Sequence, residues 1–161
     1  MSKINWGRVV LGGIVFGVVF GIFPASYIPM LAREWREAFA ALGGNFPDTT
    51  PAFLTGAAAI NVAIGIVTLW LYAAIRPRYG PGPRTAAIAG VAIWLVLLFA
   101  NLSYVLLTDL TVAHAVMLHG PSLVAFVVAA IAGAWVYREA SPQSAAPARE
   151  ATPAHTGKPT P

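Results

Sequence analysis

The sequence predicts an all-α membrane protein, a bundle of four transmembrane helices, and three observations lead there. Only 10% of the residues are charged while 58% are hydrophobic, against about a quarter charged in an ordinary soluble domain. The charges are gathered into short clusters rather than spread along the chain. Between the clusters lie four apolar runs of roughly 20 residues, the length that crosses a hydrocarbon core of about 30 Å. Inside such a core every backbone N–H and C=O must be satisfied within its own segment, so each open-ended span is a helix.

The first span covers about Val9 to Ile28 and follows a short basic start containing Lys3 and Arg8. This resembles the charged and apolar regions of a signal peptide. The run is longer than a signal-peptide core and further apolar spans follow it, so it reads as an uncleaved signal anchor. The second span runs from about Phe53 to Ile75, the third from Thr85 to Leu107 and the fourth from Val112 to Tyr137. Each is too long and too apolar for the core helix of a soluble domain.

Orientation follows from the basic residues. Lys3 and Arg8 precede the first span, Arg76, Arg78 and Arg84 separate the second from the third, and Arg138 follows the fourth. These three places share one side of a four-span bundle. On the other side Arg33 and Arg36 are offset by Glu34, Glu37 and Asp48, and Asp109 is the sole charge of a tight turn. Basic residues collect on the cytoplasmic side, so both termini are expected there, in a multi-pass protein. Trp6, Trp70 with Tyr72, and Trp135 with Tyr137 then fall near the cytoplasmic interface, and Tyr27 and Tyr104 near the other.

Outside the spans, Leu31, Trp35, Phe39 and Leu42 recur at near-helical spacing with charges between them. This predicts a short amphipathic helix in the outer loop, either on the membrane surface or capping the bundle, ended by Gly43 and Gly44. The segment RPRYGPGPR from Arg76 to Arg84 carries three prolines and two glycines, which predicts a compact, rigid turn instead of continuous helix. Its arginines set topology and are also suited to anionic lipid head groups. From Ser141 to Pro161 the chain is rich in proline, alanine, serine and threonine, the composition of a disordered tail.

Two features of the spans bear on function. Gly13, Gly17 and Gly21 stand at intervals of four, with Gly12 alongside, and Ala125, Ala129 and Gly133 make a similar ladder in the fourth span. Such flat seams let helix backbones approach closely, either within one bundle or against another subunit. Secondly, Asn61, Asn101 and His119 each lie on the order of 10 Å into the bilayer from the outer ends of their spans. A polar side chain at that depth faces the bundle interior or a partner. The three are candidates for one polar layer, with Ser103 and Ser122 nearby and a kink expected at Gly120 and Pro121. The layer either fixes packing by hydrogen bonds or walls a cavity for a small ligand.

Much chemistry is excluded. There is no cysteine, hence no disulfide, thiolate metal site or thiol nucleophile. No carboxylate falls within a span, and no nucleophile motif or glycine-rich phosphate loop is present. His114 and His119 are five apart, about 140° around a helix, so one metal ion is not held by both. The residues call for no cofactor and no metal, and no enzymatic activity is expected. The net charge of +4 lies at the ends of apolar runs, where it orients the chain and does not form a nucleic-acid surface.

The stretch WLYAAIRPRYGPGPR from Trp70 to Arg84, the opening INWGRVVLGG and the late AGAWVY resemble a group of uncharacterised small bacterial membrane proteins. The resemblance covers the four spans but not the tail. It implies a location in the bacterial inner (plasma) membrane, and it carries over no functional residue. The expectation is therefore a non-enzymatic protein in the lipid bilayer that works through helix packing, as a homo-oligomer or as an accessory subunit of a larger membrane complex. The alternative is binding or transport of a small ligand, lipid or quinone in a cavity walled by Asn61, Asn101 and His119.

Overall fold

A computed structural model describes residues 4–27, 32–41, 43–45, 48, 50–107 and 112–137. Among these residues the secondary structure is wholly helical: α1 Trp6–Tyr27, α2 Ala32–Ala41, α3 Pro51–Tyr79, α4 Pro83–Leu107 and α5 Val112–Val136. The expectations for the tail, for Lys3, Leu31, Leu42, Asp109 and Arg138, and for the side chains of Tyr27, Trp35, Tyr104 and His114 lie outside what is described. Four of the helices, α1, α3, α4 and α5, are long and apolar enough to cross a membrane.

Local chemistry sets the helix ends. Asn5 caps α1, its Oδ1 accepting from Arg8 N at 3.2 Å. Thr50 caps α3 in the same way, its Oγ1 accepting from Phe53 N at 3.2 Å, and Pro51 occupies the first helical position, where a missing N–H costs nothing. The charged helix α2 carries an exposed Arg33–Glu37 ion pair at 3.2 Å, one turn apart. It ends where Gly43 takes φ 73° and donates to Ala40 O at 2.9 Å while Gly44 donates to Phe39 O at 3.0 Å. That pair of bonds is a Schellman stop. α2 lies near α5, at the end of the bundle opposite the arginine cluster.

The turn between the second and third spans is shorter than its prolines predict. Instead of opening at Arg76, α3 runs on through Arg76, Pro77 and Arg78 to Tyr79. Pro77 removes one backbone donor but leaves the others of that turn, and Gly80 N closes it on Arg76 O at 2.9 Å. The reversal is confined to Gly80–Gly82. Gly80 sits at φ 81° and ψ 164°, a region essentially restricted to glycine. Buried Thr85 then pins the turn, its Oγ1 donating to Gly80 O at 2.7 Å.

The four long helices form a ring in which α1 packs on α3 and α5, and α4 packs on α5 and α3. α1 and α4 stand across the diagonal, with no close backbone approach between them among the described residues. Neighbours are antiparallel, as the register shows: Gly13 lies against Ile66 and Gly17 against Val62, while Asn5 reaches Tyr137 and Phe16 reaches Phe126. The core occupies the half of the bundle near the arginine cluster. There Val9, Phe16, Leu69, Ala86, Ala89, Ala125 and Ala129 are fully buried. Phe126 stacks edge-on against Phe16 and Phe20 at 5.4 and 4.6 Å.

Candidate functional site

The glycines of α1 set how closely the helices approach. A methyl group added at Gly13 would lie 2.7 Å from Ile66 N, and one at Gly17 would lie 2.9 Å from Val62 Cα. Both positions therefore rest on the backbone of α3. Gly21 marks the end of this contact, 3.5 Å separating such a methyl from Asn61 Nδ2. Gly12 faces the other neighbour, where a methyl would lie 2.8 Å from Gly133 O in α5. The α5 ladder joins that interface, with Ala125 and Ala129 buried beside it. Both seams are thus occupied within the chain.

The three polar residues of the expected layer are all half-buried. Asn101 donates from Nδ2 to Leu97 O of its own helix at 2.8 Å. Asn61 lies beside Gly21. At His119 it is the backbone carbonyl that is engaged, accepting from Ser122 Oγ at 2.7 Å and from Trp94 Nε1 at 3.3 Å. None of the described hydrogen bonds joins Asn61, Asn101 and His119 to one another.

The interhelical polar link in this region is Trp94 with Ser122. The indole Nε1 donates to Ser122 Oγ at 3.0 Å, tying α4 to α5 beside Pro121. Sequence reasoning named Ser122 and overlooked Trp94. The signal was present, because an indole N–H far from a span's ends needs an acceptor.

A second polar cluster ties together the arginine end. The rings of Tyr72 and Tyr137 meet edge to face at 5.8 Å, and the Arg76 guanidinium lies over the Tyr137 ring, 5.6 Å from its centroid. Tyr137 Oη accepts from Asn5 N, and Tyr72 Oη accepts from Gly82 N, each at 3.4 Å. One cluster thereby joins the start of α1, the end of α3, the turn and the end of α5. Of the aromatic residues expected near this interface, Tyr72 and Tyr137 face inward at 4% and 6% exposure, whereas Trp6 and Trp135 point outward at 60% and 79%. Arg78 and Arg84 are exposed, and Arg76 is half-buried.

Among the described residues no group of three or more histidine, aspartate or glutamate side chains comes together to hold a metal ion. The interior groups above are amides, hydroxyls, an indole and backbone carbonyls, suited to holding helices in register. Comparison with protein-family models, with curated proteins and with solved structures found no match to this chain.

Proposed function

We propose that this chain is an integral membrane protein that acts through helix contacts, as a homo-oligomer or as an accessory subunit of a larger membrane complex, and that the amino-terminal third of α3 makes the contact. The observation that carries this reading is the exposure of residues 51–60. Every residue of that stretch except the partly covered Ala57 is exposed, so no face of it is consumed by the bundle. Phe53, Leu54 and Ile60 stand out from it at 42%, 55% and 62%. Between them Gly56, Ala58 and Ala59 are small, and a methyl at Gly56 would meet nothing within 4 Å. In lipid, small residues flanked by large ones let a second helix gain close van der Waals contact. The seams of α1 and α5 do not serve this purpose, since each is covered from within.

The reading takes the end bearing Arg8, Arg76, Arg78 and Arg84 as cytoplasmic, supported by the positive-inside rule, and the membrane as the bacterial inner one, supported by the resemblance of the sequence to small bacterial membrane proteins. No enzymatic step is assigned. The rival reading, a cavity for a small ligand or quinone at Asn61, Asn101 and His119, has less support because the Asn101 amide is turned to its own helix.

The chain has no native cysteine, so a single Ala59→Cys reports contact directly. In native membranes under mild oxidation this variant should form an intermolecular disulfide, as a self-dimer for a homo-oligomer or as an adduct for an accessory subunit. Val18→Cys, exposed on α1 at 59%, is the control. Equal crosslinking at the two positions, or none at Ala59, overturns the α3 contact.

A further inference from the structure

On the arginine-end half of α4 a shallow hollow of about 460 Å³ is lined by Arg84, Ala87, Ile88, Val91, Ala92 and Leu95. Its lining is apolar throughout, Arg84 contributing the aliphatic stem of its side chain. These residues recur at intervals of three and four, so they follow one face of a single helix. From Arg84 to Leu95 the hollow extends about 16 Å along the axis, close to the roughly 15 Å that one leaflet contributes to the hydrocarbon core. It therefore begins at the stem of Arg84, an exposed residue beside the helix start, and ends near mid-membrane depth.

We propose that this hollow holds one acyl chain of an anionic phospholipid whose phosphate pairs with Arg84. Charge and length select this occupant together. A guanidinium forks onto phosphate oxygens, and an apolar track one leaflet long beneath it matches a chain hanging from that phosphate. Arg84 is well placed to do so because the turn behind it is fixed, with Pro83 opening α4 and Thr85 bonded to Gly80 O at 2.7 Å. A zwitterionic lipid fits the same track, but its head group carries no net charge for Arg84 to select.

The inference rests on the bundle lying in a bilayer but not on the α3 contact. The test is native mass spectrometry of the full chain extracted in mild detergent and exchanged with equimolar phosphatidylglycerol and phosphatidylcholine of matched chains. Extraction from membranes only by detergent establishes the bilayer reading by itself, before any lipid is added. The wild-type protein should retain one phosphatidylglycerol in preference to phosphatidylcholine. Arg84→Gln should lower that preference about fivefold, the effect of one basic residue near an anionic surface. Val91→Phe, which fills the track, should reduce retention of the lipid, and Arg78→Gln, exposed but outside the track, should leave it unchanged. Equal retention of the two lipids by wild type overturns the proposal. So does an Arg78→Gln loss matching that of Arg84→Gln, or full retention by Val91→Phe.

Discussion

Gly12 of α1 and Gly133 of α5 meet backbone to backbone: a methyl group on Gly12 would lie 2.8 Å from Gly133 O, and one on Gly133 would lie 2.7 Å from Gly12 O. Leu69 of α3 closes over both, 3.1 Å from the first of these positions and 2.8 Å from the second. Three helices therefore meet closely at one point, and α1 has glycine on each face that touches a neighbour.

Enlarging the seam should loosen the monomer itself. Gly13→Ala and Gly17→Ala press on the α3 backbone and should each destabilise the bundle by about 1–3 kcal/mol, the usual cost of overpacking. Gly120→Ala, with nothing within 4 Å of the added methyl, should not. Equilibrium unfolding in mixed micelles measures the difference. Wild-type stability of the Gly13 and Gly17 variants would show that α3 does not rest on the seam.

Trp94 and Ser122 should be energetically coupled. Trp94→Phe keeps an aromatic ring and removes the donor that reaches Ser122 Oγ at 3.0 Å. A double-mutant cycle with Ser122→Ala should give a coupling of about 0.6 kcal/mol, the average for hydrogen bonds between membrane helices. Strictly additive effects would mean the bond contributes nothing in solution.

At the arginine end, Tyr137→Phe should cost about 1 kcal/mol through the lost acceptor for Asn5 N. Tyr137→Leu should cost more, because it also removes the edge-to-face partner of Tyr72 and the ring beneath Arg76, a cation–π contact worth about 0.5–1 kcal/mol. Thermal unfolding of the two variants orders them. Equal melting temperatures would leave the ring contacts without weight.

The turn supplies a backbone test. With Gly80 at φ 81° and ψ 164°, both Gly80→Ala and Gly80→Asn should destabilise by about 1–3 kcal/mol. Asparagine tolerates the left-handed helical region but not this one, so it should rescue nothing. Full stability of the Asn variant would show that the turn has an alternative conformation.

The four long helices, their approximate ends, the basic end and the short charged helix were all legible in the sequence. Hydropathy and charge clusters are properties of contiguous residues, and lengths near 20 apolar residues leave helix as the solution in lipid. Gly43 as a helix stop was legible for the same reason, since its signal is local. The extension of α3 through Pro77 was not, because a proline near a helix end costs one donor and neighbouring packing decides whether the turn continues.

Only the tertiary structure decided which face of each helix meets which neighbour. A helix apolar all round its circumference carries little periodic signal about its rotation, so the sequence could list Gly13, Gly17, Ala125 and Gly133 as seams without assigning their partners. Packing turned Gly13 and Gly17 to α3, brought Gly12 onto Gly133, and rotated Tyr72 and Tyr137 inward. It also joined Trp94 to Ser122, a pairing between helices that no local pattern announces. Rotation about a helix axis is fixed by contacts summed over two neighbouring helices, and those contacts join residues remote in sequence.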